Sequence, residues 1–221
     1  MSVFDEIQAA AFDIDGTLYP NYQMYVWGLP QMLFCPRLLH AYNEVRKEIR
    51  RTDTTGEKFT DAQARLMAVR LETLTSRAAE KIERCLYHPW AVQTRIIRPV
   101  RGLREFLTAL RKKGVPLYAL SDFPVGRKLE YLGVADLFTK ALCSEDYGRL
   151  KPDPAPFLAL RKAADVPASK ILYFGNSYSK DIVGARSVGM RTAYITRKPR
   201  ADRPADLVYR NYEELTALLS D

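Results

Sequence analysis

Five short apolar runs, each closing on a polar turn, constrain this chain more than any other feature. They are Ala9–Phe12, Val115–Leu120, Ala141–Cys143, Ile171–Phe174 and Thr192–Ile195. Each reads as a short buried strand that ends in a polar loop. Helical patterns lie between them. Leu103, Phe106, Leu107 and Leu110 recur at i, i+3, i+4 and i+7 and make one apolar face. Phe157, Leu158 and Leu160 open another helix after the Pro152–Pro156 turn. A third runs from Ile182 to Val188 and is stopped by Gly189. This alternation, from about residue 99 onward, predicts an α/β fold: a Rossmann-like parallel sheet with helices on both faces.

One stretch breaks the alternation. Leu38, Tyr42, Val45 and Ile49 form a helical stripe. Thr60 reads as an N-cap, with Gln63 at the third helical position of a helix through Leu71. Thr52–Gly56 reads as a loop, and Ser76–Leu86 as a further helix. The expected organisation is a catalytic core from residues 1–18 and 99–221, with an α-helical cap domain, 19–98, inserted after the first strand. Pro99-Val100-Arg101-Gly102 is the return joint. A chain of 221 residues has room for this.

Composition excludes several classes. With 47% hydrophobic and 27% charged residues the chain is an ordinary globular one. No apolar run approaches the ~18 residues of a membrane span, and the first residues lack the pattern of a signal peptide. A cytoplasmic protein, monomer or homodimer, is expected. Cys35, Cys85 and Cys143 lie far apart and are odd in number, so they read as free thiols. The net charge of +8 is spread along the chain. Without a basic run interleaved with aromatics it predicts steering of phosphorylated substrates rather than nucleic-acid binding.

The loop Asp13-Ile14-Asp15-Gly16-Thr17 leaves the first strand at its carboxyl end, where open α/β sheets bind ligands. Two crowded carboxylates repel unless a cation offsets them, and magnesium prefers such oxygen ligands. A carboxylate can attack phosphorus, and a second can move the proton of the leaving oxygen. Gly16 lets the backbone approach a phosphate, and Thr17 offers a hydroxyl to order the loop. Other strand ends add matching groups. Ser121 and Asp122 bring a hydroxyl and successive N–H groups for phosphate oxygens. Lys151 stands before the stiff turn Pro152-Asp153-Pro154. Asn176 and Asp181 follow the fourth run. Singly, each has an ordinary reading as turn, cap or surface residue. Together they make a metal clamp and a phosphate cradle.

These residues resemble the haloacid dehalogenase-like hydrolase superfamily, in its helical-cap, phosphatase-like branch. Phe12 to Leu18 looks like the first motif, Leu120-Ser121-Asp122 the second, Lys151-Pro152-Asp153-Pro154 the third and Gly175 through Asp181 the fourth. The resemblance implies Asp13 as nucleophile and magnesium ligand. It implies Asp15 as general acid/base that also gives the metal its backbone carbonyl. Ser121 and Lys151 would bind the transferring phosphate, and the fourth motif would complete the Mg2+ site. One departure stands out: the family usually has Asp where this chain has Asn176, which implies weaker metal affinity or a larger share for Asp181.

The expected activity is magnesium-dependent hydrolysis of a small phosphorylated metabolite through an aspartyl-phosphate. A sugar-phosphate mutase and a non-catalytic phosphate-binding protein are the alternatives. Dehalogenases of the family lack the second carboxylate, so Asp15 points to phosphate chemistry. Of the aromatics Tyr19, Tyr22, Tyr25, Trp27, Tyr42, Tyr87 and Trp90, Tyr19 is the expected pocket residue, and the rest are read as core. Arg50, Arg51 and Arg149 could add a second anionic contact but read first as solvated surface, and His40 and His88 read as structural or surface residues.

Overall fold

The computed structural model describes residues 3–52 and 57–220. From residue 53 on, the expected Thr52–Gly56 loop lies outside them. Six parallel strands form one sheet: β1 (Ala9–Phe12), β2 (Leu117–Ser121), β3 (Phe138–Cys143), β4 (Ile171–Gly175), β5 (Arg191–Ile195) and β6 (Leu207–Tyr209). Their order is β3-β2-β1-β4-β5-β6. The strand order reverses between β1 and β4, and a crevice opens there at the carboxyl ends. Phe12 pairs with Ala119 on one side and Phe174 on the other. The Phe12 and Phe174 rings stack with centroids 4.4 Å apart.

Between β1 and β2 the chain is helical: α1 (Asn21–Trp27), α2 (Leu29–Phe34), α3 (Pro36–Ile49), α4 (Phe59–Arg70), α5 (Thr75–Ile82) and α6 (His88–Gln93). Then, still before β2, comes α7 (Leu103–Lys112), and after β2 come α8 (Lys128–Tyr131), α9 (Pro154–Ala164), α10 (Val183–Ser187) and α11 (Tyr212–Ser220). Alternation along the strands sorts them onto two faces. Ala10, Phe12, Leu172 and Phe174 pack against α7 and α11. Ala9, Ala11, Ile171 and Tyr173 pack against α9 and α10. A third core, of Tyr42, Val45, Phe59, Met67 and Ile82 among others, lies mostly in the inserted helices and takes in Leu150, with Phe123 packed against it. At the return joint, Gly102 has φ +74° and lies so close to Glu213 that a Cβ would stand 2.6 Å from its backbone nitrogen. Only glycine fits there.

Three local expectations are corrected. Thr60 is not an N-cap. The helix begins at Phe59 after an extended Lys58, with no side-chain cap, because starting there buries the Phe59 ring in the helical core. That burial is worth about 1.5–3 kcal/mol, more than a cap's ~1 kcal/mol. The helix expected over Ser76–Leu86 is α-helical only to Ile82 and then widens into a π turn, Glu83–Tyr87. Finally, β6 was not foreseen: three residues, only partly buried, carry little periodicity. The cysteines are free thiols, two half-buried and Cys143 buried. Among the described residues no helix is long and apolar enough to cross a membrane.

Candidate active site

The polar groups singled out at the strand ends meet at the crevice between β1 and β4. Asp13 follows β1, its backbone N–H donating 2.8 Å to the Phe174 carbonyl. Its carboxylate is held on both oxygens: Lys151 Nζ donates to Oδ1 at 2.7 Å and Thr17 Oγ1 to Oδ2 at 2.8 Å. The same ammonium donates to Asp181 Oδ1 at 2.7 Å and lies 3.2 Å from the Tyr173 hydroxyl. Asp181 is turned inward by the Ser177 N–H, which donates 2.9 Å to its second oxygen. Lys151 is almost wholly buried, at 2% exposure. Burial works against its charge, but Asp13 and Asp181 outweigh it and hold its pKa well above the ordinary lysine value. Burial pushes the Asp13 carboxyl up to about 7; Lys151 pulls it down, while Asp181 and Asp15 push it further up. One lysine thus leaves this carboxylate cluster short of positive charge.

Asp15 has its own cage. Ser121 Oγ donates to Oδ2 at 2.7 Å, and Lys128 Nζ lies 2.8 and 3.0 Å from the two oxygens. The Tyr19 hydroxyl donates to Oδ1. Burial opposes the charge, but Lys128, Tyr19 and Ser121 hold the carboxyl below its usual range. Ser121 Oγ also accepts the Phe123 N–H at 3.0 Å. Lys128 escaped the sequence reading. It sits 113 positions from Asp15 on a four-residue helix, and no local signal marks it.

Tyr19 is a correction: it is fully buried, does not line the cavity, and orders Asp15 instead. Of the three arginines read first as solvated surface, two are instead held by protein groups. Arg50 donates to Asp122 Oδ2 at 2.9 Å and to the Lys151 carbonyl at 3.1 Å. Arg149 donates to the Thr52 carbonyl at 2.9 Å, and Arg51 is exposed. None faces the site with a free guanidinium. Asp122 spends its carboxylate on Arg50 and on the Lys151 N–H, 2.9 Å away, so only its backbone is left for a phosphate. These cations hold its pKa low against the effect of burial.

Above this floor opens a cavity of about 600 Å³, which Asp13, Asp15, Asp122, Lys151, Asn176 and Asp181 help to line. Gly16, at φ +100°, lies where a Cβ would overlap the side chains of Asn176 and Asn21. The glycine therefore lets the first and fourth motifs close on each other. Among the described residues no group of three or more His, Cys, Asp or Glu suits a metal. A cation here would rest on the carboxylates of Asp13 and Asp181, the Asn176 amide oxygen and the Asp15 carbonyl. That all-oxygen set, short of positive charge, fits magnesium better than zinc.

The family model of the haloacid dehalogenase-like hydrolases matches residues 7–189. The chain belongs to this family. Among relatives of this hydrolase is the N-acetylmuramic acid 6-phosphate phosphatase of Pseudomonas aeruginosa, 25% identical over 86% of this chain and 81% of the relative. A glyceraldehyde 3-phosphate phosphatase of Methanopyrus kandleri is 27% identical over 86% and 84%. Among solved structures, a 2-haloacid dehalogenase from Pseudomonas syringae pv. tomato superposes with a TM-score of 0.67 at 26% identity, covering 97% of this chain and 98% of the other. The hydrolase thus shares its fold with dehalogenases and phosphatases alike.

Proposed function

We propose that this chain is a magnesium-dependent phosphatase for small phosphate monoesters, with Asp13 as nucleophile and an aspartyl-phosphate as intermediate. The observation that supports this most is the Asp13–Lys151–Asp181 cluster at the cavity floor, with Asp15 and Ser121 beside it. The sequence relatives, both phosphatases by name, support the substrate class.

In this reading an Asp13 oxygen attacks phosphorus, and the bond from phosphorus to the alcohol oxygen breaks. Asp15 gives that oxygen its proton. Water then attacks the aspartyl-phosphate, Asp15 takes the water's proton, and phosphate and free Asp13 result. Lys151 and the Ser121 hydroxyl hold the transferring oxygens. A divalent cation on Asp13, Asp15, Asn176 and Asp181 would supply charge neutralisation at the phosphoryl group. The Lys128 contact favours ionised Asp15, the form that activates water, so Asp15 must leave Lys128 to act as the acid. The helical segment 19–98 serves as a cap that keeps bulk water from the intermediate.

The test is turnover of 4-nitrophenyl phosphate with and without magnesium. The wild type should turn over only with the cation, and Asp13→Asn should lose at least about a thousand-fold in kcat, the scale for losing a nucleophile. Equal rates in Asp13→Asn, or chloride release from a 2-haloacid without phosphatase activity, would overturn the assignment.

A further inference from the structure

The walls of the cavity differ from its floor. Beside the carboxylates the lining includes Trp90, Phe123, Tyr42, Met24 and Leu39. Trp90 packs edge-on against Tyr42 at 5.5 Å and Phe123 at 5.8 Å between centroids, so the rings brace one another. A braced aromatic wall offers flat apolar area at little entropic cost. Apart from Lys151 at the floor, Lys180 is the one cation in this lining among the described residues, and it is exposed. Arg46 and Lys128, whose charges lie over the Phe123 ring, are committed to Glu145 and Asp15, and Arg50 to Asp122 and the Lys151 carbonyl. Among the described residues, a second phosphate or carboxylate on the substrate would thus meet only the exposed Lys180. Asn21, Asn43, Gln31 and Ser177 also line the cavity, and Gln31 already accepts from Gln93 at 3.2 Å. A three-carbon phosphate would leave most of 600 Å³ unfilled.

We infer that the substrate's alcohol carries a flat aromatic or heteroaromatic body, without a second charged group, seated against Trp90 and Phe123. This rests on the phosphatase reading of the same site. It departs from the substrates named for the sequence relatives, none of which is aromatic.

The experiment compares esters with matched leaving groups, so that chemistry does not masquerade as recognition. The pair is naphthylethyl phosphate and n-propyl phosphate, both primary alkyl esters. The naphthyl ester should have the higher kcat/KM by about ten-fold or more, mostly through KM, the scale of one aromatic contact. Trp90→Leu should shrink that ratio toward one, and Trp90→Phe should keep most of it. Binding gives a second arm that needs neither turnover nor a variant of the wall. In calorimetry with Asp13→Asn and magnesium, naphthylmethylphosphonate should bind about ten-fold tighter than methylphosphonate. Equal values in either arm, or a preference for fructose 1,6-bisphosphate over both esters, would overturn the inference. If no ester is hydrolysed at all, the phosphatase reading falls, while the calorimetric comparison still decides whether the wall selects a ring.

Discussion

Asn176 shows how one residue's chemistry sets a testable demand. It lines the cavity beside Asp13 and Asp181 and is pressed against Gly16. An aspartate there would bring a third carboxylate to a cluster already short of positive charge. Asn176→Asp should therefore lower the melting temperature in the presence of EDTA and raise magnesium affinity by about ten-fold, near 1.4 kcal/mol. Magnesium titrations of activity and paired thermal melts check both signs, and an unchanged metal dependence would remove Asn176 from the ligand set. At this scale the sequence was partly legible. The groups at the ends of β1, β2 and β4 followed from strand ends and motif spacing. Lys128 and the true place of Tyr19 did not, because both act on Asp15 through side-chain reach, which no periodicity encodes.

At the scale of elements, α3 does the most. Its apolar stripe of Leu38, Tyr42, Val45 and Ile49 was legible because all four face one core. Its polar partners were not. Arg46, 3% exposed, donates at 2.5 Å both to Glu145 Oε1 and to the Asp122 carbonyl. Its guanidinium lies 4.4 Å over the Phe123 ring. A buried arginine reads in sequence as surface, and only the long-range partner after β3 explains it. The π turn at Glu83–Tyr87 belongs to the same junction, since the Tyr87 hydroxyl donates to Glu145 at 2.9 Å. Burial raises the Glu145 pKa, and Arg46, whose charge is shared with Tyr42, Tyr87 and Asp122, does not fully offset it. A carboxyl with a raised folded pKa stabilises most below its unfolded value, and that contribution falls as pH rises from about 4.5. The neutral Glu145→Gln has no such loss. Melting curves between pH 4 and 7 should find the variant gaining on the wild type as pH rises; a slope of the other sign would mean that the ion pair wins over burial.

The whole molecule holds two kinds of core, one sandwiching the sheet and one centred on the helical segment, which Leu150 also enters. Polar contacts tie the two together. Arg46 on α3 and Arg50, its C-cap, reach the loop after β2 and the Lys151 carbonyl. Replacing both with methionine should leave the sheet's amides protected from hydrogen exchange while α3 to α5 exchange faster, and uniform loosening would argue against separate cores. The sheet was legible as a whole because five of its strands are apolar runs between turns, but their spatial order was not, since nothing local says that β1 lies between β2 and β4. That order has a consequence in time. The floor of the site pairs residues 9–12 with residues 171–174, and the intervening chain must be made before they can meet. On a ribosome the helical segment, whose contacts are mostly nearby in sequence, can settle while β1 still waits unpaired. Asp13 and Asp15 are thus among the first polar groups synthesised, and their lysines, Lys151 and Lys128, follow more than a hundred residues later.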